Sequence, residues 1–252
     1  MEPINDNKDR ERVKKLLEVD THSGQYTPFD VFDSNITRTK QNYLGEYVPD
    51  DFWKIYGKIY HSTFKPIEKI DDETLPGDRL DLNMSDLISR IFPFKPKSIL
   101  EVGCGFARCL VYVEANCKDL ERIEGIELSP TMVEKAKHHL TKYENGKKIK
   151  VQQGNAASLP FKDNEFDLVY THVCLTHIPS EFIDKVTSEI SRVAKDTIVH
   201  LERFRFQHEH PNPHRWSHEL APRYLKLGWK IHEYDMLSNN PDHHTTALTL
   251  RK

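Results

Sequence analysis

From Ser98 onward the chain alternates between two kinds of segment. Short apolar runs, "SILEV", "RIEGIE", "KIKVQQ", "FDLVYT" and "DTIVHLE", are separated by stretches with helical spacing, "ARCLVYVEANC", "SPTMVEKAKHHLTKY" and "SEFIDKVTSEISRVAK". Near-continuous apolar runs suit strands buried on both faces, and strand–helix alternation puts helices on both sides of a parallel sheet. Ser129 and Ser180 are expected N-caps, and Pro130 suits a first helical position. The last part breaks the rhythm. A helix over "SHELAPRYLKLG", capped by Gly228, leads into "WKIHEYDML" and "TTALTLRK". The turn-rich "SNNPDHH" between those runs predicts an antiparallel hairpin. The expectation is a mostly parallel seven-stranded α/β sheet flanked by helices and ending in that hairpin.

The division along the chain falls near residue 80. Residues 1–80 show patchy periodicity, with short amphipathic helices expected at "RVKKLLEVD" and "DDFWKIYGKIYHSTF" around an irregular polar stretch. This segment is expected to form an N-terminal helical cap on a domain spanning residues 81–252. Its aromatic residues Tyr43, Tyr47, Trp53, Tyr56 and Tyr60 either pack the cap against the core or close over a bound ligand. A helix over "LDLNMSDLISRIF", stopped by Pro93, opens the domain.

With 36 basic against 39 acidic residues, the charge balance gives no footprint for general nucleic-acid binding. The four cysteines form no CxxC pair and no zinc spacing, as for reduced thiols in a cytoplasmic protein. The first twenty residues are charged and lack a signal-peptide core, and no apolar run reaches the roughly 18 residues of a membrane span. His208, His210, His214 and His218 crowd one loop, but Pro211 and Pro213 interrupt them. That loop is read as facing a substrate, and no metal is expected.

Chemistry enters with "SILEVGCGFARCL". The first strand ends in Gly103, Cys104 and Gly105, with Glu101 just before them. Ligands of open α/β sheets bind beyond the carboxyl ends of the strands, at the point where strand order reverses. Glycines there admit close backbone approach, and the following helix presents its N–H groups. A carboxylate, Glu127, closes the second strand about twenty residues further on, the position that receives ribose hydroxyls in dinucleotide-type folds. "GNAASLPF" follows the third strand, where a base-contacting loop belongs. The nicotinamide fingerprint needs a glycine where Arg108 stands, so the pattern is G-x-G-x-A, ending in Ala107.

Together, "EVGCGFARCL", "IEGIELSPTMVEKA" and "GNAASLPFKDNEFDLVYTHVCLTHI" resemble the ordered motifs of class I S-adenosylmethionine-dependent methyltransferases. The resemblance implies a Rossmann-like fold and S-adenosylmethionine as cofactor. Gly103, Cys104 and Gly105 would then shape the loop under the methionine moiety, with Glu101 helping to hold its amino group. Glu127 would bind the ribose hydroxyls, Leu128 and Met132 would flank the adenine, and Asn155 and Ala156 would lie at its edge. Thr171 and His172 would sit near the sulfonium. Asn155 stands where the family often has aspartate, keeping an acceptor oxygen without the charge.

Methyl transfer needs nucleophile and methyl carbon held in line, and an O- or N-nucleophile can also need a base. Of His172, His177 and His200, His172 directly follows the fourth strand and is the catalytic candidate; its alternative is a histidine that merely lines the pocket. His200 is expected to be packed inside its strand, with Glu202 and Arg203 reaching toward substrate. "THVC" lacks the proline-rich motif of base-amine methylation. The expected acceptor is an O or N atom of a small molecule, handled by a monomer or homodimer. Protein or RNA methylation, or a silent cofactor-binding regulatory module, are the alternatives.

Overall fold

The computed structural model describes residues 84–143, 146, 148–204, 216–237 and 244–252. The expected cap over residues 1–80 and His208, His210 and His214 lie outside them. Five helices and seven strands are described, in the order α1 (Met84–Ile91), β1 (Ser98–Val102), α2 (Arg108–Asn116), β2 (Arg122–Glu127), α3 (Pro130–Leu140), β3 (Ile149–Gln153), β4 (Phe166–His172), α4 (Ile183–Val193), β5 (Ala194–Phe204), α5 (Leu220–Lys226), β6 (Lys230–Met236) and β7 (His244–Arg251). Short 3-10 turns cover Phe92–Phe94 and Leu175–His177.

The sheet order is β3-β2-β1-β4-β5-β7-β6. Strands β1 to β5 are parallel, while β7 runs antiparallel to β5 and β6 antiparallel to β7. The chain leaves β1 for β2 on one side and returns to β4 on the other, so the order reverses between β1 and β4. Glu101 pairs there with Gly125 on one side and Tyr170 on the other.

Strand alternation divides the core between the two faces. Ile99, Ile123, Leu168, Val199 and Leu201 pack under Leu87, Leu110, Val133 and Ala136 of α1, α2 and α3. Leu100, Ile126, Val169, Ile198 and Leu248 pack under Ile183, Ile190 and Tyr224 of α4 and α5. Each fully buried Leu or Ile contributes about 1.5–3 kcal/mol of transfer free energy.

Local signals set several boundaries. Ser129 caps α3, its hydroxyl accepting from the Met132 N–H at 3.4 Å, and Pro130 opens the helix. Gly228, at φ +87°, ends α5: its N–H reaches the Leu225 carbonyl at 3.1 Å and that of Trp229 reaches Tyr224 at 3.0 Å, the paired bonds of a Schellman cap. Ser180 does not cap α4. A turn closed by the Phe182 N–H on the Pro179 carbonyl precedes that helix, and Phe182 holds the cap position without a side-chain bond. The helix also passes into β5 with no connecting loop, so β5 begins at Ala194, earlier than the apolar run alone suggests.

Candidate functional site

The site starts from the turn after β1. Gly103 and Gly105 have φ of +77° and +54°, and Ala107 also takes a left-handed conformation at +69°. The N–H groups of Gly103 and Cys104 both donate to the Ile126 carbonyl, at 2.8 and 3.0 Å, tying the turn to β2. Ala107 is the N-cap of α2 and offers its first turn no side-chain bond.

Glycine is required here first by the protein itself. A Cβ on Gly103 would stand 2.2 Å from the Cys174 sulfur, so this turn and the segment after β4 touch directly. On Gly105 it would meet only the flexible end of Met132, at 3.3 Å. The Cys104 side chain turns inward, 5% exposed, where a Cβ on Gly125 would come within 2.7 Å of its sulfur. Burial pushes the Cys104 and Cys174 thiols well up, so both are neutral.

Two buried carboxyls lie beside the turn. Glu127 ends β2, and its two oxygens accept from the Gly105 N–H at 3.0 Å and the Ser129 N–H at 2.8 Å. One side chain thus joins the glycine turn to the start of α3. Burial pushes its carboxyl above the usual range, while the N–H groups of Ser129, Gly105 and Leu128 pull the other way. A carboxylate has about four acceptor positions, so these N–H groups leave part of its capacity for a further donor. Glu101 is 1% exposed and accepts from the Tyr170 hydroxyl at 2.9 Å. Burial pushes it up to about 8, against hydrogen bonds from Tyr170 and Cys109.

The remaining predicted residues divide. Met132 is buried on α3, and half-buried Leu128 follows β2, its carbonyl bonded by Gln153 Nε2 at 3.2 Å. Asn155 spends acceptor capacity locally: its Oδ1 accepts from the Ala157 N–H at 2.8 Å, shaping the turn that carries half-buried Ala156. That turn is braced from behind. Arg192 donates to the Leu159 and Phe161 carbonyls, and Glu189 accepts from the Leu159 N–H.

Thr171 is fully buried and its hydroxyl turns into the fold, donating to Glu202 Oε1 at 2.7 Å. Its oxygen also lies 2.8 Å from His200 Nδ1. Having given its proton to Glu202, Thr171 can only accept there, which assigns the Nδ1–H tautomer to His200. Burial pushes His200 down to about 3, and the ring is neutral. His172 is the last residue of β4, half-buried, and shares the sheet face of Tyr170 and Glu101. His218 bonds the Ile178 carbonyl through Nε2 at 2.8 Å. Among the described residues no cluster of His, Cys, Asp or Glu is arranged to hold a metal ion, and no helix is long and apolar enough to cross a membrane.

Glu202 corrects the sequence reading. It does not reach outward for a substrate: it is 3% exposed and anchors the segment after β4, accepting from the N–H groups of Cys174 and Thr176. A carboxylate near a strand end gives no sequence sign of which way it points.

Sheet order, glycine turn and terminal carboxylate define the Rossmann-like fold of the class I methyltransferases. Residues 99–197 match a family model described as a methyltransferase domain. Over that stretch the chain is similar to the class I S-adenosylmethionine-dependent methyltransferases. It is 36% identical over 104 residues to norajmaline N-methyltransferase of Rauvolfia serpentina, covering 40% of this chain and 33% of that protein. It is also 36% identical over 100 residues to a probable chloroplastic tocopherol O-methyltransferase of Oryza sativa subsp. japonica, covering 40% and 26%. The chain thus spans about a third or less of the length of these relatives. A SAM-dependent methyltransferase from Aquifex aeolicus shares the fold at 21% identity, with a TM-score of 0.56 over 75% of this chain and all of that one. The cyclase SpnF does so at 18% identity and a TM-score of 0.59, over 67% and 80%.

Proposed function

We propose that this protein transfers the methyl group of S-adenosylmethionine to an O or N atom of a small molecule. The observation that carries the reading is Glu127, a buried carboxylate at the end of β2 that clasps the glycine turn and the α3 N-terminus while keeping acceptor capacity. The donor set suits the cofactor's adenosine: two ribose hydroxyls need a fixed acceptor pair, and Leu128 and Met132 adjoin it with apolar surface. Ala156, on the turn shaped by Asn155, lines the adenine edge. The Gly103–Gly105 turn and Glu101 receive the amino-acid end, with Cys104 supporting the turn from the core side. Thr171 contributes through its backbone, since its hydroxyl is committed to Glu202.

When bound, the cofactor supplies an electrophilic methyl carbon whose sulfonium loses its charge on transfer. The chain's share is to align the acceptor and exclude water. His172, at the end of β4, is the base that removes a proton from the acceptor as the new bond forms. Two relatives named for N- and O-methylation support a small acceptor, though the match covers a third or less of either protein. The fold's likeness to a protein named as a cyclase supports testing the cofactor before the reaction.

Calorimetric titration with S-adenosylmethionine, S-adenosylhomocysteine and NAD tests the reading. Micromolar binding of both adenosyl ligands and none of NAD is expected; silence from the adenosyl ligands would overturn it.

A further inference from the structure

The segment after β4 carries a conformation that needs an external hold. Val173 has φ of +52°, a left-handed backbone that is costly for a β-branched residue. Its N–H continues the ladder to the Leu201 carbonyl at 2.8 Å, and the chain then turns into the Leu175–His177 helix turn. Glu202 reaches under it from β5. One oxygen accepts from the Thr171 hydroxyl at 2.7 Å and the Cys174 N–H at 3.0 Å, and the other from the Thr176 N–H at 3.2 Å. The carboxylate therefore brackets the strained residue and His172 between fixed points.

The hold extends in two directions. Cys174 fills the space where Gly103 would carry a Cβ, so its position fixes the floor of the glycine turn. Thr176 exchanges two bonds with Trp216: the Trp216 N–H donates to its carbonyl at 2.8 Å, and its hydroxyl donates to the Trp216 carbonyl at 3.2 Å. Residues 216–218, where the chain returns from the histidine-rich stretch, are thus tied to the same anchor, as His218 on Ile178 also shows.

We propose that Glu202 is the positioning residue of the methionine end of the cofactor site, holding the β4 exit and through Cys174 the glycine turn in the shape that receives the amino-acid moiety. This rests on the cofactor reading above. Glu127 and Asn155 organise the adenosine end from the end of β2 and the turn after β3; Glu127 meets the glycine turn at Gly105, whereas Cys174 meets it at Gly103. The two ends of one ligand should therefore respond separately to substitution.

The test compares two ligands on the full chain. S-adenosylhomocysteine has the amino-acid moiety; 5′-methylthioadenosine lacks it. Glu202→Ala should weaken the first by about tenfold or more and the second by less than about threefold. Glu202→Gln keeps one acceptor oxygen for Thr171 and Cys174 and should recover most of the loss, which also carries the test if the alanine variant does not fold. Ser191→Ala, which removes the Trp229 bond in the same core layer, should lower Tm without changing the ratio of the two affinities. Equal weakening of both ligands, or no change in either, overturns the positioning role while leaving the cofactor reading intact. Failure of the unsubstituted protein to bind either ligand overturns both.

Discussion

Burial pushes the carboxyls of Glu101 and Glu127 in the same direction, and at Glu101 the consequence can be read against pH. Glu101 is held up to about 8 mainly by burial, against an unfolded value near 4.5. Folding therefore takes up a proton at this site. The stability it contributes is full below about 4.5, falls as pH rises toward about 8, and is lost above. Glu101→Gln should accordingly raise stability at pH 9, by on the order of a few kcal/mol, and change little at pH 4, as read from urea melts at the two pH values. At Glu127, replacement by Ala removes the acceptor for the Gly105 and Ser129 N–H groups and, on the proposed function, for the ribose hydroxyls. Affinity for S-adenosylhomocysteine should fall by about a hundredfold in titration. The roles of such residues were only partly readable. Glu101 and Glu127 stand out because acids interrupt apolar strands next to glycines. Glu202 does not, because what decides its role is a set of backbone N–H groups from another strand's exit.

At the scale of elements, two glycines with the same sign of φ serve different ends. Gly228 caps α5 with open space where a Cβ would go, so Gly228→Ala should cost only the left-handed conformation, about 1 kcal/mol. Gly103 adds a collision with Cys174 to the same strain, and Gly103→Ala should cost about 2–4 kcal/mol, part of it returned by Cys174→Gly. Chemical denaturation of both variants checks the contrast. The sequence marks both as turn glycines, but only the fold shows which one has a neighbour. Helix starts behave likewise: Ser129 is a true cap, whereas at Ser180 the turn closed by Phe182 displaces the start that the hydroxyl suggested.

At the scale of the whole molecule, β1, β2, β4 and β5 were legible because they are covered on both faces and read as apolar runs, whereas β3 buries only Ile149 and Val151. Strand order was not, since β6 and β7 look alike as isolated runs. The structure puts Ala247, Leu248 and Leu250 of β7 in the core and leaves Ile231, Tyr234 and Met236 of β6 exposed at the edge. The edge is held to the body in part by Arg90 of α1, buried and paired with Glu233 and Asp235. Arg90→Ala should strip that tie and leave the two acids without a partner from α1, costing about 2–4 kcal/mol in thermal melts. Hydrogen exchange should rank the amides of β1, β4 and β5 slowest and those of β6 fastest.

The position of β7 between β5 and β6 also sets an order of assembly. During synthesis β6 leaves the ribosome first, yet every backbone bond it makes to the sheet runs through β7. Until β7 emerges and slots in, β5 presents an open, apolar edge and β6 has nothing to pair with. For that interval the nascent chain is exposed to edge-to-edge association, and its need for chaperones should be greatest there.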